Sequence, residues 1–172
     1  MTRPATSGAR KGSEKEEPRE PPPTLENKNI FYVVNEPGGY VRILGGAVLL
    51  GRIEGVIKEP FYHYNSLISN YGYYVKPVHK VYKRRSGAKI VYVYYGRYWF
   101  RRMGSRLIYA GSEKPFWIPY EPPENPVDGV TLIMEGTDLL VNKEGLSKLL
   151  SVAKSVIPGL SLLYRQDSRR EP

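Results

Sequence analysis

The 172-residue chain has no cysteine and only two histidines, His63 and His79. The first absence excludes disulfides and thiolate metal sites, so stability must come from packing, hydrogen bonds and charge. The second leaves little material for histidine-based metal centres or catalytic triads. Long apolar runs are missing too: nowhere are there the roughly 20 consecutive apolar residues of a membrane span, nor a basic start followed by an apolar stretch. These absences predict a soluble, cytoplasmic protein with no metal and no cofactor. The fourth absence is local. Residues 71 to 115 contain a single acidic side chain, Glu113.

Against Glu113 that segment sets eleven cations: Lys76, Lys80, Lys83, Arg84, Arg85, Lys89, Arg97, Arg101, Arg102, Arg106 and Lys114. Its net charge is therefore +10, and because the whole chain carries +9, everything else sums to −1. A solubilising surface spreads charge and mixes its signs, whereas a concentrated patch repels itself unless a polyanion neutralises it. The same stretch is aromatic. Eleven of the fifteen tyrosines lie in or beside it: Tyr62, Tyr64, Tyr71, Tyr73, Tyr74, Tyr82, Tyr92, Tyr94, Tyr95, Tyr98 and Tyr109. Cations meet phosphates and release counterions, and rings stack on bases or brace the cationic stems. Tyrosine also favours strands simply because it packs well across them.

Along the chain, residues 1–29 are rich in Pro, Glu, Lys, Arg and Ser, with almost no aliphatic side chain, and predict a disordered tail. From Ile30 the texture is β: Ile30 to Val34, a turn through Pro37-Gly38-Gly39, Tyr40 to Leu44, and a third strand from Ala47 to Lys58 bent at Gly51 and Gly55. Residues 60 to 72 read as an irregular connection with room for one helical turn. Neither Gly38-Gly39 nor Gly45-Gly46 has the spacing of a dinucleotide or phosphate loop. The basic region then predicts three antiparallel strands at 73–111, completing a β domain over residues 30–115. Its strands are Tyr73 to Arg84, Lys89 to Met103 with a bulge at Gly96, and Arg106 to Ala110, joined at Arg85-Ser86-Gly87-Ala88 and Gly104-Ser105.

Five prolines between Pro115 and Pro126 suggest a stiff linker over 116–128. Residues 129–159 read as a hairpin followed by a helix from about Lys143 to Val156, capped by Asn142 and stopped at Pro158-Gly159. A C-terminal tail, 160–172, completes the expectation. The fold class is thus mainly β within α+β: antiparallel twisted sheets, one C-terminal amphipathic helix and a disordered N-terminal tail. The helix at 143–157 could cover a sheet or meet a protein partner.

The words Lys83-Arg84-Arg85-Ser86-Gly87, Tyr95-Gly96-Arg97-Tyr98-Trp99 and Tyr109-Ala110-Gly111 resemble the arm-type DNA-binding domain of tyrosine recombinases and related accessory proteins of mobile elements. The resemblance covers about 40 residues and implies a three-stranded sheet entering the major groove, with Arg84, Lys89, Arg97, Trp99 and Arg101 nearest the DNA. The helical catalytic domain of a recombinase has no counterpart here. Asp128, Glu135 and Asp138 are the best candidates for carboxylate-dependent chemistry, but no acid, base and nucleophile are seen to converge. The expected function is non-catalytic binding of nucleic acid, duplex DNA ahead of RNA or single strands, through Lys80, Arg84, Arg85, Lys89, Arg97, Trp99, Arg101, Arg102 and Arg106. The alternative is a protein-interaction module that meets an acidic partner on the same sheet, since Tyr, Trp and Arg are also hot-spot residues.

Overall fold

A computed structural model describes residues 29–166, so the expected N-terminal tail lies outside the described residues apart from Asn29, and the last residues of the C-terminal tail lie outside them too. The described chain is mainly β, with two sheets. The larger has seven strands: β1 (Ile30–Glu36), β2 (Tyr40–Ile43), β4 (Val78–Arg85), β5 (Ala88–Tyr95), β8 (Leu132–Glu135), β9 (Asp138–Asn142) and β10 (Ser161–Tyr164). Their order is β10-β1-β2-β9-β8-β5-β4, antiparallel except where β10 runs parallel to β1. The smaller sheet is β3 (Tyr73–Val75), β6 (Trp99–Met103) and β7 (Arg106–Gly111), in the order β3-β6-β7. Part of the expected C-terminal tail is therefore an edge strand.

Two helices cover one side. The C-terminal helix expected from the sequence is present as α2 (Leu146–Val156), entered through a 3-10 turn, Lys143–Gly145. Its apolar stripe is consumed in the core: Leu146, Leu149, Val152 and Ala153 pack with Val33, Val41, Leu139 and Val141 of the large sheet. Asn142 does not cap it. The Asn142 amide instead ties the preceding loop, accepting from the Thr131 N–H at 2.8 Å and donating to the Gly129 carbonyl at 3.3 Å.

The expected third strand is wrong: Ala47–Leu67 is a 21-residue helix, α1. Valine, isoleucine and glycine in its first half imitate a strand with bulges. Leu50, Ile53, Ile57, Phe61 and Tyr64 are nevertheless spaced three and four apart and form its buried stripe. Burial of that stripe overrides two glycines and an internal proline. Gly51 and Gly55 sit on the exposed side, where an added Cβ would meet nothing within 4 Å. Gly51→Ala and Gly55→Ala are therefore expected to stabilise the fold by about 0.5–1 kcal/mol each, read as a higher urea midpoint; a lower midpoint would contradict this account of α1.

The long helix serves two cores. Leu49, Leu50, Ile53 and Ile57 pack under the large sheet, whereas Phe61, Tyr64 and Ile68 pack with Val75, Trp99 and Ile118 under the small one. Pro60, which has no N–H for the helical ladder, lies where α1 passes between them. The expected linker is packed into both cores: Ile118 is buried in the second and Val127 in the first, Tyr64 Oη donates to the Tyr120 carbonyl at 2.6 Å, and Asn125 Nδ2 donates to the Tyr95 carbonyl at 2.8 Å. Asn65 imitates a neighbouring strand. Its amide donates to the Val75 carbonyl at 2.7 Å and accepts from the Val75 N–H at 2.8 Å, satisfying both main-chain groups of Val75 on the open edge of β3.

The single basic sheet expected at 73–111 is divided. Both hairpin turns form as read, at Ser86-Gly87 and Gly104-Ser105, but the long ribbon between them bends midway. Hydrogen bonds continue through the bend, Lys76 N–H to the Tyr98 carbonyl at 3.0 Å and Gly96 N–H to the Pro77 carbonyl at 3.1 Å. Pro77 cannot donate to the ladder, and Gly96 takes φ +54 with its bare Cα against the buried ring of Phe61. The ribbon folds around that ring. Its outer half, β3 with β6, leaves the large sheet and pairs with β7 instead.

Candidate nucleic-acid interface

The bend creates a face that neither sheet would have alone. Opposed residues of an antiparallel pair share a face, so the register puts Val78, Lys80, Tyr82 and Arg84 on the helix side with Val91, Val93 and Tyr95. His79, Val81, Lys83 and Arg85 look outward with Ile90, Tyr92 and Tyr94. In the small sheet Trp99 and Val75 point into the core, leaving Tyr74, Phe100, Arg102 and Tyr109 outward. Pro77 resets the alternation: outward residues are even-numbered before it (Tyr74) and odd-numbered after it (His79, Lys83, Arg85). Strict alternation through Pro77 would put Lys76 with Lys80 and Arg84; the register separates them.

The outward rings touch in a chain across the bend. Tyr92 and Tyr94 stack with centroids 6.4 Å apart, Tyr94 and Tyr98 meet edge-on at 5.3 Å, Tyr98 and Tyr109 at 5.9 Å, and Phe100 and Tyr109 at 5.9 Å. His79 stacks on Tyr94 at 6.5 Å and meets Tyr98 at 5.1 Å. Cations lie over these rings: Lys83 over Tyr92 at 5.0 Å, Arg97 over Tyr94 and Tyr98 at 5.4 and 5.6 Å, Lys76 over Phe100 at 5.5 Å, and Arg102 over Tyr74 at 5.4 Å. Burial raises the pKa of Tyr94, and likewise of Tyr74, so both rings stay neutral.

Of the nine residues selected from the sequence, Arg85, Arg97 and Arg102 belong to this outward face. Lys80, Arg84 and Lys89 occupy the opposite side of the large sheet, Lys89 lying over Tyr82 at 4.7 Å. Arg101 pairs with Tyr73 on the helix side of the small sheet, and Arg106 pairs with Met103 beside the hairpin tip. Trp99 is a correction. It is 3% exposed and meets Tyr64 edge-on at 6.1 Å, so it anchors α1 to the small sheet and cannot reach a ligand. Lys76, Lys83 and His79 were missed. Their signal was present as an aromatic or cation at every second position, but the reset at Pro77 hides it.

The same outward face turns acidic toward β1, β2 and β9. There Arg42 is gripped by Glu36, by Glu135 at 2.9 Å and by Asp138 at 3.4 Å, one cation among three carboxylates. Although burial alone would lower its pKa, the hydrogen bonds it donates to Glu36 and Glu135 raise it, and the guanidinium stays charged. Two of the three candidate catalytic carboxylates are thus structural partners of Arg42. Asp128 stands elsewhere, on the loop whose carbonyl accepts from Lys148 Nζ at 2.7 Å. Among the described residues no group of three or more His, Asp or Glu side chains is placed to hold a metal ion, and no helix is long and apolar enough to cross a membrane.

His79 has a buried Nδ1 without a hydrogen-bond partner, and burial followed by the charge of Lys76 lowers its pKa. The unfolded chain therefore binds a proton more readily than the folded one, so the His79 contribution to stability is present above pH ~6.5 and is lost as pH falls below it. Between pH 7.5 and pH 5 the melting temperature of the wild type is expected to fall further than that of His79→Phe. Equal falls would remove His79 from the account.

Compared with known proteins, the chain matches no family model, no curated protein and no solved structure.

Proposed function

We propose that this protein binds nucleic acid, without catalysis, through the outward face formed by β4, β5 and the small sheet. One observation carries the reading: an unbroken series of ring contacts from Tyr92 to Phe100 is overlaid by Lys76, Lys83 and Arg97, with Arg102 over the neighbouring Tyr74, within a segment of net charge +10. Cations held over aromatic rings are ordered before a partner arrives, which reduces the entropy lost when they bind phosphates. The acidic surround of Arg42 on the other half of the large sheet repels a polyanion and directs it toward the basic half.

A salt titration tests the proposal. Affinity for a fluorescein-labelled oligonucleotide is expected to fall steeply with salt, log K against log salt giving a slope of about −3 to −5 for four to six neutralised phosphates. Absence of binding to any oligonucleotide at about 50 mM salt, or a flat response, would rule it out.

A further inference from the structure

We infer that the nucleic acid held on this face is unpaired, so that the bases of a single strand lie on the Tyr92 to Phe100 band while the neighbouring cations take its phosphates. The inference rests on the binding function proposed above and departs from the duplex expected from the arm-type resemblance.

Three features of the face support it. The first is what the groups of this face, the half-buried Tyr94, Tyr98 and Phe100 and the exposed Tyr109, can recognise. A duplex presents base edges, read by donors and acceptors such as the arginine guanidinium or the asparagine and glutamine amides. At the middle of this band stand Tyr94, Tyr98, Phe100 and Tyr109, whose broad surfaces are rings. Rings gain by stacking on base faces, and in a duplex those faces are already covered by the adjacent base pairs.

Spacing is the second feature. Successive ring centroids are 5.3 to 6.4 Å apart along the band, well beyond the ~3.4 Å rise between stacked bases, so bases that follow the rings must be pulled out of a helical stack.

The third is shape. A major groove about 12 Å wide admits a helix or a narrow β-ribbon. The β6–β7 tip from Arg101 to Ala110 is exposed, but the base of the small sheet is packed on α1 through Trp99 and Val75, and its outer face continues into the seven-stranded sheet where Tyr98 meets Tyr94. Between that tip and β4 the outward face is a broad, bent surface, which suits a flexible strand laid along it. Arg97, at the bend beside Tyr94 and Tyr98, is placed to meet a phosphate of a strand laid along the band.

The experiment compares a labelled 20-nucleotide deoxythymidine strand, a 20-nucleotide uridine strand and a 20-base-pair DNA duplex by fluorescence anisotropy with the full chain at about 50 mM salt. Either single strand is expected to bind at least 10-fold more tightly than the duplex, and the difference between deoxy and ribo strands reports which source is preferred. Tyr109 is 61% exposed, so Tyr109→Ala should leave the fold intact. It is expected to weaken single-strand binding by about 5- to 100-fold and duplex binding by less than 2-fold. Phe100→Leu, which keeps apolar bulk but removes the ring, is expected to act in the same direction. Duplex binding as tight as single-strand binding, or equal losses on both from Tyr109→Ala, would overturn this inference while leaving nucleic-acid binding in place. No binding to any of the three probes would overturn the binding function itself.

Discussion

A variant carrying Lys76→Ala, Arg97→Ala and Arg102→Ala is expected to bind oligonucleotides about 100-fold more weakly than the wild type at 0.1 M salt, with its salt slope reduced by about two to three. Each of these cations lies over a ring of the outward face, and none forms one of the ion pairs found among the described residues. Their removal therefore subtracts phosphate contacts without stripping a buried carboxylate of its partner. Because they also repel one another in the free protein, the folded state should be no less stable without them. A matched variant with Arg52, Lys143 and Lys154 changed to alanine loses the same formal charge from exposed positions on and beside the helices. It should retain nearly full affinity. If the two variants weaken binding equally, net charge alone drives association and the outward face has no special part in it.

The second large effect concerns the bend on which that face depends. Gly96→Ala is expected to destabilise the protein by about 3 kcal/mol and lower its melting temperature by about 10 °C. Two costs combine: alanine is strained at φ +54, and its Cβ would overlap the ring of Phe61, itself 1% exposed and hemmed in by the second core. Neither the helix nor the ribbon can retreat without opening that core. Phe61→Leu makes room at the point of overlap, so in that background Gly96→Ala should cost distinctly less, leaving mainly the backbone strain. Equal costs in both backgrounds would show that the ring does not dictate the bend.

Much of the local structure was readable because its causes are local. Ser86-Gly87 and Gly104-Ser105 fix their turns through backbone conformations available to few residues, and Leu146, Leu149, Val152 and Ala153 declare α2 by their spacing. For α1 the periodic stripe was present, but it competed with valine, isoleucine and two glycines that suit a bent strand equally well. The stripe decides the matter only because two sheets lie beneath it, and a single stretch of sequence does not reveal a partner that distant. Trp99 failed for a related reason. Between Tyr98 and Phe100 it looked like one more exposed ring, yet it is the one that α1 covers.

By itself the sequence determined where the basic, tyrosine-rich β-structure of this protein lies and where its hairpins turn, since charge content and turn chemistry need no distant contact. Which of those cations share a surface was decided only in the tertiary structure. A one-residue reset at Pro77 exchanges the two faces of a strand, and Phe61 wedged against Gly96 sends half of the ribbon into a second sheet. Lys83, Arg97 and Arg102 thus come to line one aromatic band, while Lys80, Arg84 and Lys89, equally basic and close by in sequence, face the other way.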